Sequence, residues 1–288
     1  MTAPIPESLT PQEQEMVSSA LAKVRQRVDS WHARYLAEQD DSVEPGSSLA
    51  ADNRLTDPFH ISQLAYNYLG VGTDCLSVLL RASVTYTDDG SPTLITNPHG
   101  LFPNLRTGLD VACTAAWLLG TPDRKARVRA RLILHMQEMH DETSANEALV
   151  EAMLAVGKTP VSTAVADDGK KWADGWAAQR AEELNLTRMR KNCWPTNGKI
   201  VQTGAALAGL SGPHYTVLWR SLSGATHGAW WATSLLSREV VRDEPHEPTV
   251  EARLSLSVPV FTALLWNVTE ILEYGWVTFD RRRRAPQI

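Results

Sequence analysis

One row of side chains in the last third of the sequence combines an arginine, a serine and a histidine. Arg220, Ser223 and His227 are spaced i, i+3 and i+7, so on a helix they project from one side. An imidazole exchanges protons near neutral pH, and a guanidinium stabilises the negative charge that develops on a reacting phosphate. The row therefore predicts metal-independent phosphodiester chemistry, with His227 as general base or acid on a ribose 2′-hydroxyl or leaving oxygen.

The stretch that must position this row is a helix predicted to run to Leu236. Its opposite side is apolar, as a helix packed on a core requires. Gly224 and Gly228 flank the row, and each costs about 1 kcal/mol relative to alanine in a helix interior. We therefore expect either a bound molecule or a neighbouring helix to approach this helix closely. The apolar positions are Leu218, Leu222, Ala225, Ala229, Ala232 and Leu236.

A second set of polar residues lies on a strongly apolar helix predicted over residues 104–119. Arg106 and Asp110 are spaced i, i+4 and can pair with each other. Charges on a buried helix are costly unless they are paired. We expect this pair either to be structural or to join Arg220 and His227 in one site, as substrate-binding residues.

A basic cluster follows on the helix predicted to begin at Thr121 and Pro122. It contains Arg124, Arg127 and Arg131. A run of charges on a helix usually forms a solvated face. With phosphodiester chemistry at Arg220 and His227, the same run would instead bind the phosphates of an RNA substrate.

Several other kinds of site lack their sequence patterns. The chain has no HExxH or ExxH metal motif, no phosphate-binding glycine loop and no GxSxG elbow. His135 and His140 are five residues apart, which places them on different faces of a helix. We therefore predict no metal site, no cofactor and no serine hydrolase.

Composition limits the class of protein. A chain of 288 residues with 43% hydrophobic and 21% charged residues is an ordinary globular sequence. The formal net charge of −5 argues against a surface that coats nucleic acid nonspecifically, while a local basic site remains compatible with it. The spacing of the three cysteines, the absence of a signal peptide and the absence of a long apolar segment predict a cytoplasmic protein without a membrane span.

Helical periodicity dominates the sequence, so we predict an all-α multi-helix bundle. A single domain is predicted over residues 11–280, between a flexible N-terminus at 1–10 and a basic flexible tail at 281–288. The best β pattern is a short hairpin near 84–96. A loop is predicted over residues 40–58, and separate helices are predicted over 58–84, 121–140, 143–157 and 250–277.

Two family resemblances rest on these residues. The spacing of Arg220 and His227, with polar Ser221 after the arginine, resembles the signature of the HEPN superfamily, in which four to six residues separate an arginine from a histidine. That resemblance implies a helical, RNA-cleaving protein of toxin or defence type. It also implies a homodimer with two Arg–His sets at its interface.

The second resemblance covers a longer part of the chain. The pattern Tyr-x4-Arg-x-Leu-Ser-x3-His-Gly, beginning at Tyr215, is similar to one in a family of uncharacterised helical actinobacterial proteins. These proteins also carry Arg-x3-Glu, then Trp-Leu and an arginine-rich helix; here Asp110 replaces the usual glutamate. The resemblance supports the helical architecture and marks the same residues without assigning an activity. The corresponding residues are Tyr215, Arg220, Leu222, Ser223, His227 and Gly228, with Arg106, Asp110, Trp117, Leu118 and the arginines of 124–131.

Two alternatives from other classes stay open. The protein could be a catalytically inert interaction module, such as the partner protein of a toxin or nucleotidyltransferase. It could also be a small-ligand sensor in which Arg220, Asp110 and His227 line an internal pocket. Whether Arg220 and His227 are exposed, or buried and hydrogen-bonded, discriminates most strongly among the hypotheses.

Overall fold

The computed structural model describes residues 11–36, 42–86, 92–94, 98–159, 164–187, 189–241, 252–256 and 258–286. These residues form a predominantly helical fold, so the predicted all-α class is confirmed. None of the described helices combines the length and apolar character needed to cross a membrane. The helices are α1 (Pro11–Leu36), α2 (Ser48–Leu55), α3 (Ile61–Ser83), α4 (Pro98–Gly120), α5 (Arg124–Ala155), α6 (Ala164–Glu183), α7 (Asn197–Leu207), α8 (Gly212–Thr226), α9 (Trp230–Leu236) and α10 (Val258–Arg283), with a 3-10 turn at Lys191–Cys193.

Two short β-hairpins accompany the helices. β1 (Val84–Tyr86) pairs antiparallel with β2 (Pro92–Leu94), within the region where the sequence predicts a hairpin. β3 (Ser237–Val241) pairs with β4 (Ala252–Leu256), where a charged loop and the start of the last helix are predicted. That helix begins only at Val258, because proline at position 259 fits the first turn of a helix and not its interior.

Two further boundaries differ from the predictions for local reasons. α2 occupies part of the predicted loop, because Ser47 caps it by accepting a hydrogen bond from the backbone N–H of Ala50 at 3.1 Å. α5 is one continuous helix of 32 residues where two were predicted. The hydroxyl of Thr143 donates to the carbonyl of Met139 at 2.7 Å, so this polar side chain is satisfied without a break in the helix.

The predicted end segments have different outcomes. α10 continues through residues 281–283, which were predicted to belong to a flexible tail. The Arg282 guanidinium donates to the Ser48 hydroxyl at 3.2 Å and to the Thr121 carbonyl at 3.1 Å. The predicted flexible segment 1–10 and the last residues of the tail, 287–288, lie outside the described residues.

The chain divides into two compact units. Unit 1 contains α4, which packs against α7 and α8 and contributes buried Leu105, Leu109 and Ala116. α7 approaches α4 closely because position 204 is glycine: a Cβ there would lie 2.2 Å from the Cys113 carbonyl oxygen. The segments of unit 1 are Met1–Ser42, Ala65–Gly120 and Thr196–Arg281, and those of unit 2 are Val43–Leu64, Thr121–Pro195 and Arg282–Ile288.

Arginine–tryptophan–carboxylate sets join α1 to α10 within unit 1. In one set, Arg27 lies 5.2 Å from the centre of the Trp266 ring and pairs with Glu270 at 2.6 Å. A cation over an aromatic face and beside a carboxylate gains both interactions at once. The other set is Arg34, Trp276 and Asp280, with 4.5 Å from the guanidinium to the ring centre and 3.0 Å between the charged groups.

Candidate functional site

The Arg–Ser–His row lies at a corner between two helices. The helix predicted to continue to Leu236 ends at Thr226, and His227 is its C-cap residue. Gly228 follows with a φ of +72°, in the left-handed region where glycine has no Cβ penalty. α9 then begins at Trp230. The continuous helix predicted here is therefore wrong, and we call residues 212–236 the α8–α9 corner.

Gly224 is the place where α9 returns to α8. A Cβ at this position would lie 2.7 Å from the Cβ of Ala232 and 2.8 Å from Cζ2 of Trp231. The close approach inferred from the two glycines is thus made by the chain itself. Of the two explanations offered by the sequence, the neighbouring helix is the correct one.

The inner side of the corner is apolar, as predicted. Leu222, Ala225, Ala232 and Leu236 are buried, and the remaining predicted positions are partly covered. The hydroxyl of Tyr215 adds an anchor, because it donates to the Asn267 carbonyl on α10 at 2.9 Å. The face assignment made from periodicity therefore holds even though the helix is interrupted.

The outer side of the corner carries the candidate catalytic groups. Arg220 and His227 are exposed, and Ser223 is half-buried. Among the described residues, no hydrogen bond or ion pair involves the Arg220 guanidinium or the His227 ring. The backbone N–H of His227 already donates to the Ser223 carbonyl at 3.2 Å, so the cap does not depend on its side chain. Both side chains are available to a ligand.

Arg106 and Asp110 form the predicted ion pair on α4. Trp219 of α8 completes the set: its indole N–H donates to the other Asp110 oxygen at 2.5 Å, and the Arg106 guanidinium lies 4.4 Å from its ring centre. Burial lowers the pKa of Arg106 to about 10, so it stays charged at neutral pH. This triad fastens α8 to α4 beside Arg220, but no recorded contact in the described chain joins it to Arg220 or His227.

Arg127 has a structural role instead of the predicted phosphate-binding one. It is 2% exposed and forms a two-pronged pair with the fully buried Asp52, at 2.7 and 2.9 Å. Its remaining N–H groups donate to the carbonyls of Thr121 and Pro122 at 2.9 and 2.7 Å, and to the Ser48 hydroxyl at 3.3 Å. A guanidinium has five N–H donors, and all five are used here.

The other two arginines of the predicted phosphate track are also engaged within unit 2. Arg131 is 5% exposed, and its Nε donates to the Phe59 carbonyl at 3.0 Å. Arg124 is half-exposed and donates to Asp52 at 3.1 Å. The track along 124–131 therefore does not hold for Arg127 and Arg131, because their spacing places them on the core side of α5.

Three observations concern other kinds of ligand site in the described residues. A groove of about 440 Å³ lies between α1 and α10, but its Arg34 and Asp280 pair with each other. Within the ranges that the structure describes, no three His, Cys, Asp or Glu residues are grouped as metal ligands. The exposure of Arg220 and His227 also removes the internal pocket on which the small-ligand-sensor hypothesis depended.

The helices of the corner and the preceding α7 lack acidic residues, a feature of the sequence that the motif analysis did not identify. No Asp or Glu occurs between Thr196 and Ser237, in a chain that has 33 acidic residues. The same segment contains Lys199 and Arg220. The segment that contains α7, α8 and α9 therefore has a net positive charge, whereas the whole chain has a formal net charge of −5. Counting charges by segment would have found it.

A second missed feature is a pair of exposed indoles. Trp230 is 57% exposed and Trp231 is 56% exposed. Helical spacing already places Trp231 on the same side as Arg220 and His227, four residues after His227, but the spacing alone does not indicate that its ring packs on Gly224. Large aromatic side chains left on a surface often mark a binding site.

Comparisons with protein-family models, with curated proteins and with solved structures find no match for this chain. The residues of the chain itself must therefore carry any functional conclusion.

Proposed function

We propose that the protein is a HEPN-like, metal-independent endoribonuclease with its catalytic groups on the outer side of the α8–α9 corner. The observation that carries the proposal is that Arg220 and His227 are exposed and free of intramolecular partners in the described chain. Other arginines of the fold, such as Arg127 and Arg106, are held in ion pairs. The Arg220 guanidinium and the His227 imidazole, on one side of the C-terminal end of α8, are therefore available to bind a ligand.

The residues of the Tyr-x4-Arg-x-Leu-Ser-x3-His-Gly pattern divide into two groups. Tyr215 bonds to α10, Leu222 is fully buried, and Gly228 provides the left-handed turn. These three residues build the corner. Arg220 and His227 have no comparable structural contact, which supports a role in chemistry for them.

The proposed reaction uses the 2′-hydroxyl of the RNA as nucleophile. His227 takes the proton of that hydroxyl, its oxygen attacks the adjacent phosphorus, and the bond from phosphorus to the 5′-oxygen breaks. The departing oxygen takes a proton from water, and His227 returns its proton to solvent. Arg220 stabilises the charge on the phosphate oxygens, and Ser223, one turn from both, orients the phosphate by a hydrogen bond. The products are a 2′,3′-cyclic phosphate and a 5′-hydroxyl.

RNA as substrate agrees with the charge of the corner. Phosphates that approach α7, α8 and α9 meet no carboxylate from these helices. The nearby Asp110 is paired with Arg106. The proposal includes the homodimer and the cytoplasmic location that the HEPN resemblance and the sequence imply, with the Arg–His sets of two copies facing one substrate.

The proposal is tested by cleavage of end-labelled single-stranded RNA in the presence of a chelator. His227→Ala and Arg220→Ala should each lower the rate by factors of about 10² to 10⁴. His214→Ala is the matched control, because His214 is also exposed on α8 but lies at its opposite end. Cleavage that persists in His227→Ala would rule out the mechanism.

The inert interaction module is the second candidate, and a specific observation favours it. Val217 on α8 and Leu235 on α9 are 57% and 60% exposed, so the corner has apolar surface as well as charge. This function predicts no RNA cleavage and a stable complex with a second protein. The cleavage assay and size-exclusion chromatography of that complex separate the two candidates.

A further inference from the structure

Resting on the ribonuclease function proposed above, we infer that the indole of Trp231, next in the chain to the exposed Trp230, is a stacking platform for an unpaired base beside Arg220 and His227. The platform holds the base while the adjacent phosphate lies between the guanidinium and the imidazole. It makes single-stranded RNA, of any base sequence, the substrate of the corner.

The position of Trp231 on α8 carries the inference. Gly224 lies on the outer side of α8, four residues after Arg220 and three before His227, so it separates the two along the same helix face. The Trp231 ring rests on this glycine, since a Cβ at position 224 would meet Cζ2 at 2.8 Å. At 1.5 Å of rise per residue, Arg220 and His227 are displaced from Gly224 by about 6 and about 4.5 Å along the axis. The indole thus contacts α8 at a position between Arg220 and His227 in the chain.

The exposure of the two indoles shows that their rings are available. Trp231 contacts α8 along one edge yet keeps 56% of its surface exposed, and Trp230 keeps 57%. Exposed tryptophan forgoes the free energy of burial, about 25 cal/mol for each Å² of apolar surface left in water. A stacked base would cover this surface, and base–aromatic stacking contributes about 1–3 kcal/mol per base.

The exposed Arg220 and the lack of carboxylates on the neighbouring helices favour an anionic occupant for the corner. α7, α8 and α9 contain no acidic residue, and Asp110 on α4 is neutralised by Arg106 and the Trp219 N–H. A nucleic acid strand requires a surface without carboxylates that would repel its phosphates, whereas a protein partner does not. Duplex RNA keeps its bases paired and stacked, so only a single strand offers them to the indoles.

The experiment measures binding apart from cleavage. The probe is a fluorescein-labelled 2′-O-methyl oligo(U) of about 12 nucleotides, whose blocked 2′-oxygen cannot attack the phosphate. Trp231→Ala should weaken its binding about 5- to 100-fold, and Trp231→Phe should weaken it less because an aromatic ring remains. Trp172→Ala is the matched control, because Trp172 is 56% exposed on α6 and should leave binding unchanged.

A second variant moves the indole without removing it. Gly224→Ala displaces Trp231 and should also weaken binding of the probe. Equal binding by wild type and Trp231→Ala would overturn the platform, and so would equal binding of the single strand and its duplex. The platform and the catalytic mechanism fail separately. If Trp231→Ala binds the probe normally and His227→Ala does not cleave RNA, only the platform is ruled out. If Trp231→Ala binds weakly and His227→Ala still cleaves RNA, only the catalytic mechanism is ruled out.

Discussion

Arg127 on α5 and Arg220 on α8 show two opposite environments for the same side chain. Arg127 is 2% exposed, and each of its five N–H groups has an acceptor. Arg220 is exposed and has no hydrogen bond or ion pair among the described residues. The number of guanidinium N–H groups that already have acceptors therefore distinguishes a structural arginine from one available to bind a ligand.

Neighbouring residues on α8 show the same division within one helix. The Trp219 indole donates to Asp110 and covers the Arg106 guanidinium, which secures α8 on α4. Arg220, the next residue, is rotated by about 100° and faces solvent. One element therefore supplies both the attachment to the core and the candidate chemistry, and substitutions should separate these roles.

The largest difference should appear when the two arginines are compared by the same substitution. Arg127→Ala leaves the Asp52 carboxylate buried without its main partner and should cost about 3–5 kcal/mol of unfolding free energy. Arg220→Ala should leave that free energy unchanged while it lowers RNA cleavage. Urea unfolding followed by circular dichroism measures both variants. Similar losses of unfolding free energy in both variants would show that Arg220 is also a structural residue.

A buried histidine on α5, His135, makes stability depend on pH. His135 is 2% exposed and lies 4.1 Å, centre to centre, from the Phe59 ring. Burial, and then the charge of Arg131, lower the pKa of His135 from 6.5 to about 4. Between pH 6.5 and pH 4, His135 binds a proton in the unfolded chain but not in the folded chain. The free energy of unfolding should therefore fall as pH falls from about 6.5 to about 4. The full effect is about 3 kcal/mol.

His135→Phe provides the control for this pH dependence. The phenyl ring keeps the aromatic packing and cannot titrate, so the slope of stability against pH in this interval should decrease. Urea midpoints at several pH values measure it. An unchanged slope in His135→Phe would show that other groups produce the dependence.

The tryptophans provide a smaller test. Trp219→Phe removes the N–H that bonds to the Asp110 carboxylate and should cost about 1.5–3 kcal/mol, the usual contribution of a hydrogen bond to a charged group. Trp231→Phe should leave stability nearly unchanged, because Trp231 is 56% exposed. Thermal unfolding of the two variants measures the difference. Equal melting temperatures would show that the triad does not secure α8.

The smallest effect is expected at the corner itself. Gly228→Ala places a Cβ in the left-handed region and should cost about 1–2 kcal/mol. Gly175→Ala is the matched control: it lies inside α6, where an added Cβ meets nothing within 4 Å, so helix propensity should stabilise it by up to about 1 kcal/mol. A lower melting temperature for Gly228→Ala and a higher one for Gly175→Ala would support the assigned corner. A higher melting temperature for Gly228→Ala would contradict it.

Local spacing was enough to predict part of this arrangement. Periodicity identified the buried side of the corner, including Leu222 and Ala225, and the i, i+4 rule identified the Arg106–Asp110 pair. Both depend on residues within a few turns of one helix. Such features can be predicted from sequence because helix geometry fixes which neighbours share a face.

The features that were missed depend on distant contacts. Arg127 is structural because Asp52, 75 positions earlier, is buried beside it, and a basic run alone does not show this. The corner at Gly228 was missed because a glycine after a helical pattern fits either a helix interior or a C-cap. The packing of Trp231 on Gly224 decides between them.

The chemical identity of the RNA ends tests whether the outer side of the α8–α9 corner is a catalytic site. Cleavage by the 2′-hydroxyl, with His227 as base, predicts 2′,3′-cyclic phosphate and 5′-hydroxyl products in the presence of a chelator. A fully 2′-O-methylated strand should bind without being cut. Mass spectrometry of the products measures both outcomes. Cleavage of the methylated strand, or products with a 5′-phosphate, would rule out attack by the 2′-hydroxyl at this site.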